Sequence, residues 1–470
     1  MTHRAQVALV IGAAGIILAL VPLSAVAGSE RAGASSSALV WSPATLVFSG
    51  HGWGHGVGLS QYGAFGYAKH GYTYDQMIAH YYPGTDMESG VSKTIRVLLA
   101  SAASSLTISS AAPFSVTDSA GSVYELPELS IKLTPSLKVD IGDGNGKAAL
   151  SGPLKFTATT SPLVYAGHKY GGSFRVLVSG SKLSLVNSVG LERYVYGVVP
   201  CESPHDWPAE ALKAQAVAAR TYALATLRPS SSFDVYPDTR SQVYLGISGE
   251  YPETTAAVKA TAGEVVYYDG EVAHTFFFST SGGRTSAIKD AWPKARPEPY
   301  LVSVNDPYDD ASPYHNWGPV TFSSQALAGR LHVSGPISDL AVKRNGSKRV
   351  ATATITGAGG KTWQTTGDAV KLALGLRSSW FTPTVLSLQY PRKAVPAGGK
   401  LRLKGRARNA KAVSLETRAS GGVWQKLRDV RPNSSGVVKL TLRPSATASY
   451  RLVAEGVVGT PVRIKVSSAG

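Results

Sequence analysis

The stretch ERYVYGVVPCESPHDWPAEALKAQAVAARTYAL, Glu192 to Leu224, organises the reading of this chain. Its second half predicts the clearest helix of the molecule, Pro208 to Leu227. Proline at a first turn and an Ala, Leu, Glu and Lys content both favour that state. Glu202 is then a carboxylate just outside a helix N-terminus, beside Pro204 and Trp207. Burial against apolar neighbours would raise its pKa and leave it a proton to donate. The helix dipole and backbone N–H groups would pull the other way. Arg220 interrupts an Ala-rich face, so it is either a buried charge with a partner or a snorkelling one. A Glu202–Arg220 pair is the expectation.

A second cluster, FSGHGWGHGVGLSQYGA, runs from Phe48 to Ala64, with glycine at every second position from Gly50 to Gly58. If extended, it has one face of bare backbone and another carrying His51, Trp53 and His55. Glycine weakens a strand unless a ligand or another backbone approaches closely. The two readings are a surface against which a flat substrate or another main chain lies, and a tightly packed sheet crossing. Ser60 can cap a helix through Lys69, and Thr73-Tyr74-Asp75-Gln76 is a capping-box pattern opening a helix to Tyr82.

Residues 1–27 resemble a secretory signal: His3 and Arg4, an apolar run, then Ala25-Val26-Ala27 as a small-x-small cleavage pattern. The alternative is a retained membrane anchor. Cys201 is the single cysteine, so no intrachain disulfide can form and ordinary cores must hold the fold. The formal charge is +17, and residues 384–470 hold 17 Lys/Arg against 3 Asp/Glu, a net of +14. Charge gathered in one terminal module acts on association and localisation more than on fold. Outside a cell it would meet anionic wall polymers, phospholipid headgroups or glycan carboxylates; no nucleic acid partner is expected.

Short alternating runs between residues 94 and 189 predict a β-rich module. A helix is expected over residues 253–261, strand-rich chain follows to Phe381, and residues 394–466 have the pattern of a β-sandwich.

The Glu192–Leu224 stretch resembles the core signature of the SpoIID/LytB family, the stage II sporulation protein D and amidase-enhancer proteins of bacterial cell walls. DTRSQVYLG (Asp238–Gly246), FFFSTSGGRTS (Phe276–Ser286) and PYLVSVNDPYD (Pro299–Asp309) are similar to its later motifs in order, and GHGWGHGVGLSQYGA (Gly50–Ala64) to its His/Gly motif. In the usual order that motif follows LGLRSSWF, here Leu374 to Phe381. Its N-terminal position resembles a circular permutation, which predicts that the segment Val47 to Gly84 docks beside the strand after Leu374.

The resemblance implies an α+β, β-rich fold. The expected order is a signal peptide (1–27), a linker (28–46), the His/Gly segment (47–90), a β-rich module (91–186), a SpoIID-like catalytic core (187–383) and a basic Ig-like β-sandwich (384–470). It implies a secreted, wall-associated lytic transglycosylase. Such an enzyme cleaves the MurNAc–GlcNAc bond of peptide-stripped glycan strands and leaves 1,6-anhydro-MurNAc ends. Glu202 aligns with the catalytic glutamate, with Arg220 beside it. His51, Trp53, His55, Ser60, Gln61, Tyr62, Ser279, Ser281 and Tyr314 are the candidate substrate contacts, each with a packing alternative. A hydrolase would want a second carboxylate, for which Asp238 and Asp290 are the nearest candidates. No cofactor is expected; the alternative is a zinc held by His51, His55, Cys201 and His205. The implied partners are peptidoglycan glycan strands, anionic wall polymers through residues 384–470, and a wall amidase. The competing function is a non-catalytic amidase enhancer that binds peptidoglycan; a wall-binding structural protein is the third reading.

Overall fold

The computed structural model describes residues 24–26 (backbone only), 39–126, 129–141 and 143–467. Apart from the strand Ser24–Val26, the expected signal segment lies outside the described residues, as does the linker up to residue 38. Among the described residues no helix is long and apolar enough to cross a membrane. The chain divides into two compact units, one containing residues 53–312 and the other residues 39–52 and 313–467.

In the first unit, the predicted β module is an antiparallel six-stranded sheet. Its order is Thr94–Ala103, Lys182–Gly190, Ser173–Ser179, Leu154–Ala158, Phe114–Thr117, Val123–Glu125. Alternation decides the buried face: Leu183 and Leu185, Phe174 and Val176, Leu154 and Phe156 enter one core. A four-stranded sheet, Ser130–Leu133, Leu106–Ser110, Leu163–Tyr165 and His168–Tyr170, contributes to that core. The strand Lys182–Gly190 runs straight into a helix, so the sheet fixes where the helix starts.

Five helices follow the motifs: α1 (Gln61–Lys69), α2 (Tyr74–Tyr81), α3 (Leu191–Glu202), α4 (Ala209–Ala225) and α5 (Pro252–Ala260). Ser60 caps α1 as expected, its Oγ accepting from the Gly63 amide at 3.2 Å. Thr73 and Gln76 form the capping box of α2. Helix α4 is buried along almost its whole length and packs against α1, α2, α3 and α5. Alanine on every side suits a central helix, because small side chains let neighbours approach from all directions.

In the second unit, one sheet has the order Asn316–Ser323, Thr45–His51, Phe381–Pro391, Leu401–Arg408, Val437–Leu442. The docking expected of Val47–Gly84 is present in its first residues: Thr45–His51 pairs antiparallel with Phe381–Pro391, Gly50 opposite Phe381 and Thr45 opposite Leu386, whereas residues from Trp53 onward belong to the first unit. A second sheet joins Gln425–Asp429, Ser414–Ala419, Ala448–Ala454 and Val457–Val458, with Val462–Ile464 beside Ala448–Ala454.

The strand Phe381–Pro391 explains why no boundary falls at residue 384. Phe381 and Val385 enter one core with Phe48, Leu340 and Ile355. Leu386 and Leu388 enter another with Leu403, Leu440 and Leu452. A strand buried on both faces belongs to both layers, so the basic region shares a strand with the chain before it.

Candidate functional site

Helix α3 was hidden in the sequence. Val195, Val198 and Val199 are β-branched and Pro200 lies inside the helix, all of which weigh against a helical reading. Its consequence is a correction: Glu202 is the last residue of α3 and precedes α4 by the loop Ser203–Pro208. The carboxyl group therefore stands at a helix C-terminus, where partial negative charge disfavours ionisation instead of aiding it.

Glu202 is only 2% exposed. Its Oε1 accepts a hydrogen bond from the Val243 amide at 3.0 Å, and its Oε2 has no hydrogen-bond partner among the described residues. Burial pushes the carboxyl up from 4.5 to about 8, against the smaller opposing effect of the Val243 amide. It is thus an acid that keeps its proton at neutral pH. The amide comes from DTRSQVYLG, so that motif orients the carboxyl group. Gln61 ties the other end of the residue, its Nε2 donating to the Glu202 carbonyl at 2.9 Å and to Gln215 Oε1 at 3.3 Å. Tyr194 and Tyr222 are close enough for Glu202 to raise their phenol pKa values, secondarily to burial.

The expected Glu202–Arg220 pair does not form. Arg220 is fully buried and grips Glu192, ten residues earlier on α3, with Nε–Oε1 at 2.7 Å and Nη2–Oε2 at 2.8 Å. Its remaining donors reach the Glu264 and Val258 carbonyls at 3.3 and 3.2 Å. A ten-residue step turns a helix through nearly three full turns without bringing the two glutamates onto one face. Arg220 therefore fastens the start of α3, while Glu202 ends it.

The glycine ribbon is also corrected. Strand geometry ends at His51, and Gly52, Gly54, Gly56 and Gly58 take positive φ of 73°, 118°, 88° and 76°. What lies against the segment is the protein's own main chain. Trp53 and Thr280 exchange backbone hydrogen bonds at 2.8 and 3.1 Å, the Leu59 amide donates to the Phe276 carbonyl, and the Ser286 amide to the Gly56 carbonyl. A methyl group at Gly58 would run into the Phe276 carbonyl.

His55 is held inside this crossing. Its Nδ1 accepts from the Val57 amide at 3.0 Å, which makes Nε2 the donor to the Phe277 carbonyl at 3.0 Å. Phe278 and Trp292 flank the ring. Ser60, Ser279 and Ser281 are buried and bonded internally, so they are not surface contacts for a glycan. Ser60 Oγ also accepts from the Ser281 amide, Ser279 Oγ meets Thr280 Oγ1, and Ser281 Oγ donates to Asp309 Oδ2 at 2.9 Å. Next to them Asp306 is buried, takes the Tyr81 hydroxyl at 2.9 Å, and is pushed up to about 7 by burial, with Asp309 adding to the rise. Sequence reasoning missed Asp306; its place in NDPYD was the available signal.

Tyr62 is half-buried beside Trp207 at 5.0 Å, and Phe65 completes the group at 5.0 Å from Trp207. This aromatic trio borders the loop that follows Glu202. His51 and Tyr314 belong to the second unit, where residues of LGLRSSWF meet them. The His51 ring lies 4.9 Å from Trp380, its carbonyl accepts from Ser378 Oγ, and the Arg377 guanidinium is 3.9 Å from the Tyr314 ring.

Among the described residues no group of three or more His, Cys, Asp or Glu could hold a metal ion. The four weighed as zinc ligands are engaged separately. His55 is bound within the glycine crossing, His51 lies in the other unit, Cys201 Sγ donates to the Gly197 carbonyl, and His205 stacks on Tyr251 at 4.1 Å. Burial pushes the Cys201 thiol up to about 12, which removes it as a nucleophile. Asp238 is tied to Arg240 at 2.6 Å, which holds its carboxyl below the usual range.

Residues 179–268 match the family described as SpoIID, Stage II sporulation protein. The chain is 34% identical over 218 residues to Stage II sporulation protein D of Bacillus amyloliquefaciens, covering 42% of this chain and 60% of that protein. Against the protein of the same name from Bacillus subtilis (strain 168) it is 33% identical over 217 residues, 42% of this chain and 61% of that one. Against the amidase enhancer of Bacillus subtilis (strain 168) it is 35% identical over 184 residues, covering 38% of this chain and 24% of that protein. The chain thus spans about three fifths of the sporulation proteins it matches. The matched domain contains both α3, with Glu202 at its end, and the Val243 amide that orients the carboxyl group, so the similarity to the SpoIID family covers the residues that build this site.

Proposed function

We propose that this protein acts on bacterial cell-wall glycan as a lytic transglycosylase, with Glu202 as general acid and then general base. The observation that carries this reading is the half-satisfied carboxyl group: one oxygen oriented by the Val243 amide, the other unpartnered, in a site that keeps it protonated at neutral pH. A protonated Glu202 donates to the glycosidic oxygen as an oxocarbenium-like centre develops at C1 of MurNAc. The resulting carboxylate accepts the proton of the C6 hydroxyl, which attacks C1 of the same sugar. The nucleophile is carried on the substrate, so proximity replaces a positioned water and no second carboxylate is needed.

The aromatic trio Tyr62, Phe65 and Trp207, which borders the loop after Glu202, supports sugar binding, since aromatic faces pack well on pyranose rings. Glu202 is almost wholly covered, so the glycosidic oxygen reaches Oε2 only when neighbouring side chains yield. On this reading the protein is exported, and the basic region 384–470 holds it to anionic wall polymers.

A second reading follows from the likeness to an amidase enhancer: presentation of peptidoglycan to a wall amidase without cleavage. Incubating purified protein with amidase-stripped peptidoglycan and weighing the products separates the two. Transglycosylation predicts anhydro-MurNAc ends, one water lighter than reducing ends, which Glu202→Gln abolishes. Reducing ends would make it a hydrolase, and intact strands would favour the enhancer.

A further inference from the structure

The positive charge of residues 384–470 is arranged as well as abundant. In the strand Leu401–Arg408, Leu403, Gly405 and Ala407 are buried, while Arg402, Lys404, Arg406 and Arg408 share the opposite face. Antiparallel pairing sets Lys439 directly opposite Lys404, and Thr441 opposite Arg402. Asp339 compensates only one end of this row, holding Arg406 at 2.8 Å and Arg408 at 2.6 Å. The Arg406 guanidinium also lies 4.7 Å from the Trp41 ring. Arg402, Lys404 and Lys439 are exposed and form no ion pair among the described residues. The acidic residues of the region, Glu416, Asp429 and Glu455, lie on neither strand, and Glu416 and Asp429 are paired with Arg451 and Lys426.

Like charges directly opposite each other on a sheet destabilise it. Lys404 facing Lys439 therefore costs the fold something and is best understood through a ligand. We propose that this face, Arg402, Lys404 and Lys439 bordered by Arg406 and Trp41, binds a linear polyanion whose phosphates recur along its backbone. Alternate strand residues stand about 6.6–6.8 Å apart, so Arg402, Lys404 and Arg406 present charge at a regular pitch. That pitch suits a polymer with a charge on every backbone repeat, and not a glycan with one carboxylate on every second sugar. Arginine forks add bidentate recognition of phosphate, and Trp41 supplies an apolar wall. The inference rests on the wall-association reading and is independent of the chemistry at Glu202.

The test uses the full chain with long-chain inorganic polyphosphate as probe, binding measured over a range of salt. Arg402→Gln, Lys404→Gln and Lys439→Gln together should lower affinity by about tenfold or more and flatten its salt dependence. A control removing three charges from the second sheet, Arg418→Gln, Lys426→Gln and Arg463→Gln, should lower it by less than about threefold. Equal losses in the two triple variants would reduce the effect to net charge and overturn the site, as would no binding by the unmodified chain. Polyglutamate binding as tightly as polyphosphate would overturn the phosphate assignment. Tighter binding of single-stranded DNA would overturn the wall partner in favour of nucleic acid. Glu202→Gln should leave polyphosphate binding intact and the first triple variant should leave cleavage of short soluble glycans intact, so either reading can fail without the other.

Discussion

Two ionisable side chains are buried in the same helical layer, and they are treated in opposite ways. Arg220 is fully enclosed, and its guanidinium meets both oxygens of Glu192 and two backbone carbonyls. Glu202, at the other end of the helix that Arg220 anchors, keeps one oxygen without a partner and has no cation against it among the described residues. A buried charge that is matched holds a structure together; a buried acid left half-matched keeps a proton in hand. On the proposed function, the difference gives Arg220 a positioning role and Glu202 the chemistry.

The largest effect should come from removing the acid. Glu202→Gln is expected to lower the rate of glycan cleavage by about 10²–10⁴-fold, measured from anhydro-end formation, with little loss of folding. Arg220→Met attacks the other member of the comparison. It strands Glu192 in a partly buried position and should destabilise the first unit by about 3–5 kcal/mol in denaturant unfolding. If Arg220→Met folded normally and abolished only cleavage, the division of roles would be wrong.

The pH dependence of stability sharpens the contrast. The Glu202 carboxyl is raised from 4.5 to about 8 in the folded state, so the unfolded chain binds fewer protons between those values. Its contribution is therefore full below the unfolded value and is lost as pH rises towards about 8. Melting temperatures should fall over that window, and Glu202→Gln should reduce the fall. A residual slope is expected from Asp306, raised from 3.8 to about 7 with the same sign. Gln61→Leu leaves the buried Glu202 carbonyl without its donor and should cost about 1–3 kcal/mol in unfolding experiments. Smallest is Trp207→Ala, expected to raise KM for glycan by about three- to tenfold with kcat nearly unchanged.

Much of this arrangement was legible from local signals. Ser60, the Thr73–Gln76 box and the alanine-rich α4 announced themselves because capping and composition act over a few residues. Motif order anticipated the pairing of Thr45–His51 with Phe381–Pro391 but not that the chain from Trp53 to Gly84 belongs to the first unit. Helix α3 was not legible, because tertiary packing overrode three valines and a proline, and with it went the position of Glu202 at a C-terminus. The partner of Arg220 was equally hidden: Glu192 and Glu202 both lay near in sequence, and only the helical turn between them chooses. For the glycine run the sequence left a substrate, another main chain or a tight sheet crossing open; at Gly54 and Gly58 it is the protein's own Phe278 and Phe276 carbonyl that occupy the space.

The central claim is that Glu202 enters the reaction as a protonated acid, and titrating that carboxyl group tests it most directly. Infrared difference spectra of the full chain, recorded across pH and compared with Glu202→Gln, should show one carboxyl band that persists at neutral pH. It should disappear with a midpoint at about 8 and be absent from the variant. A Glu202 carboxyl already ionised at pH values near 5 would contradict the account, because the resting site would then hold a base with no proton to give.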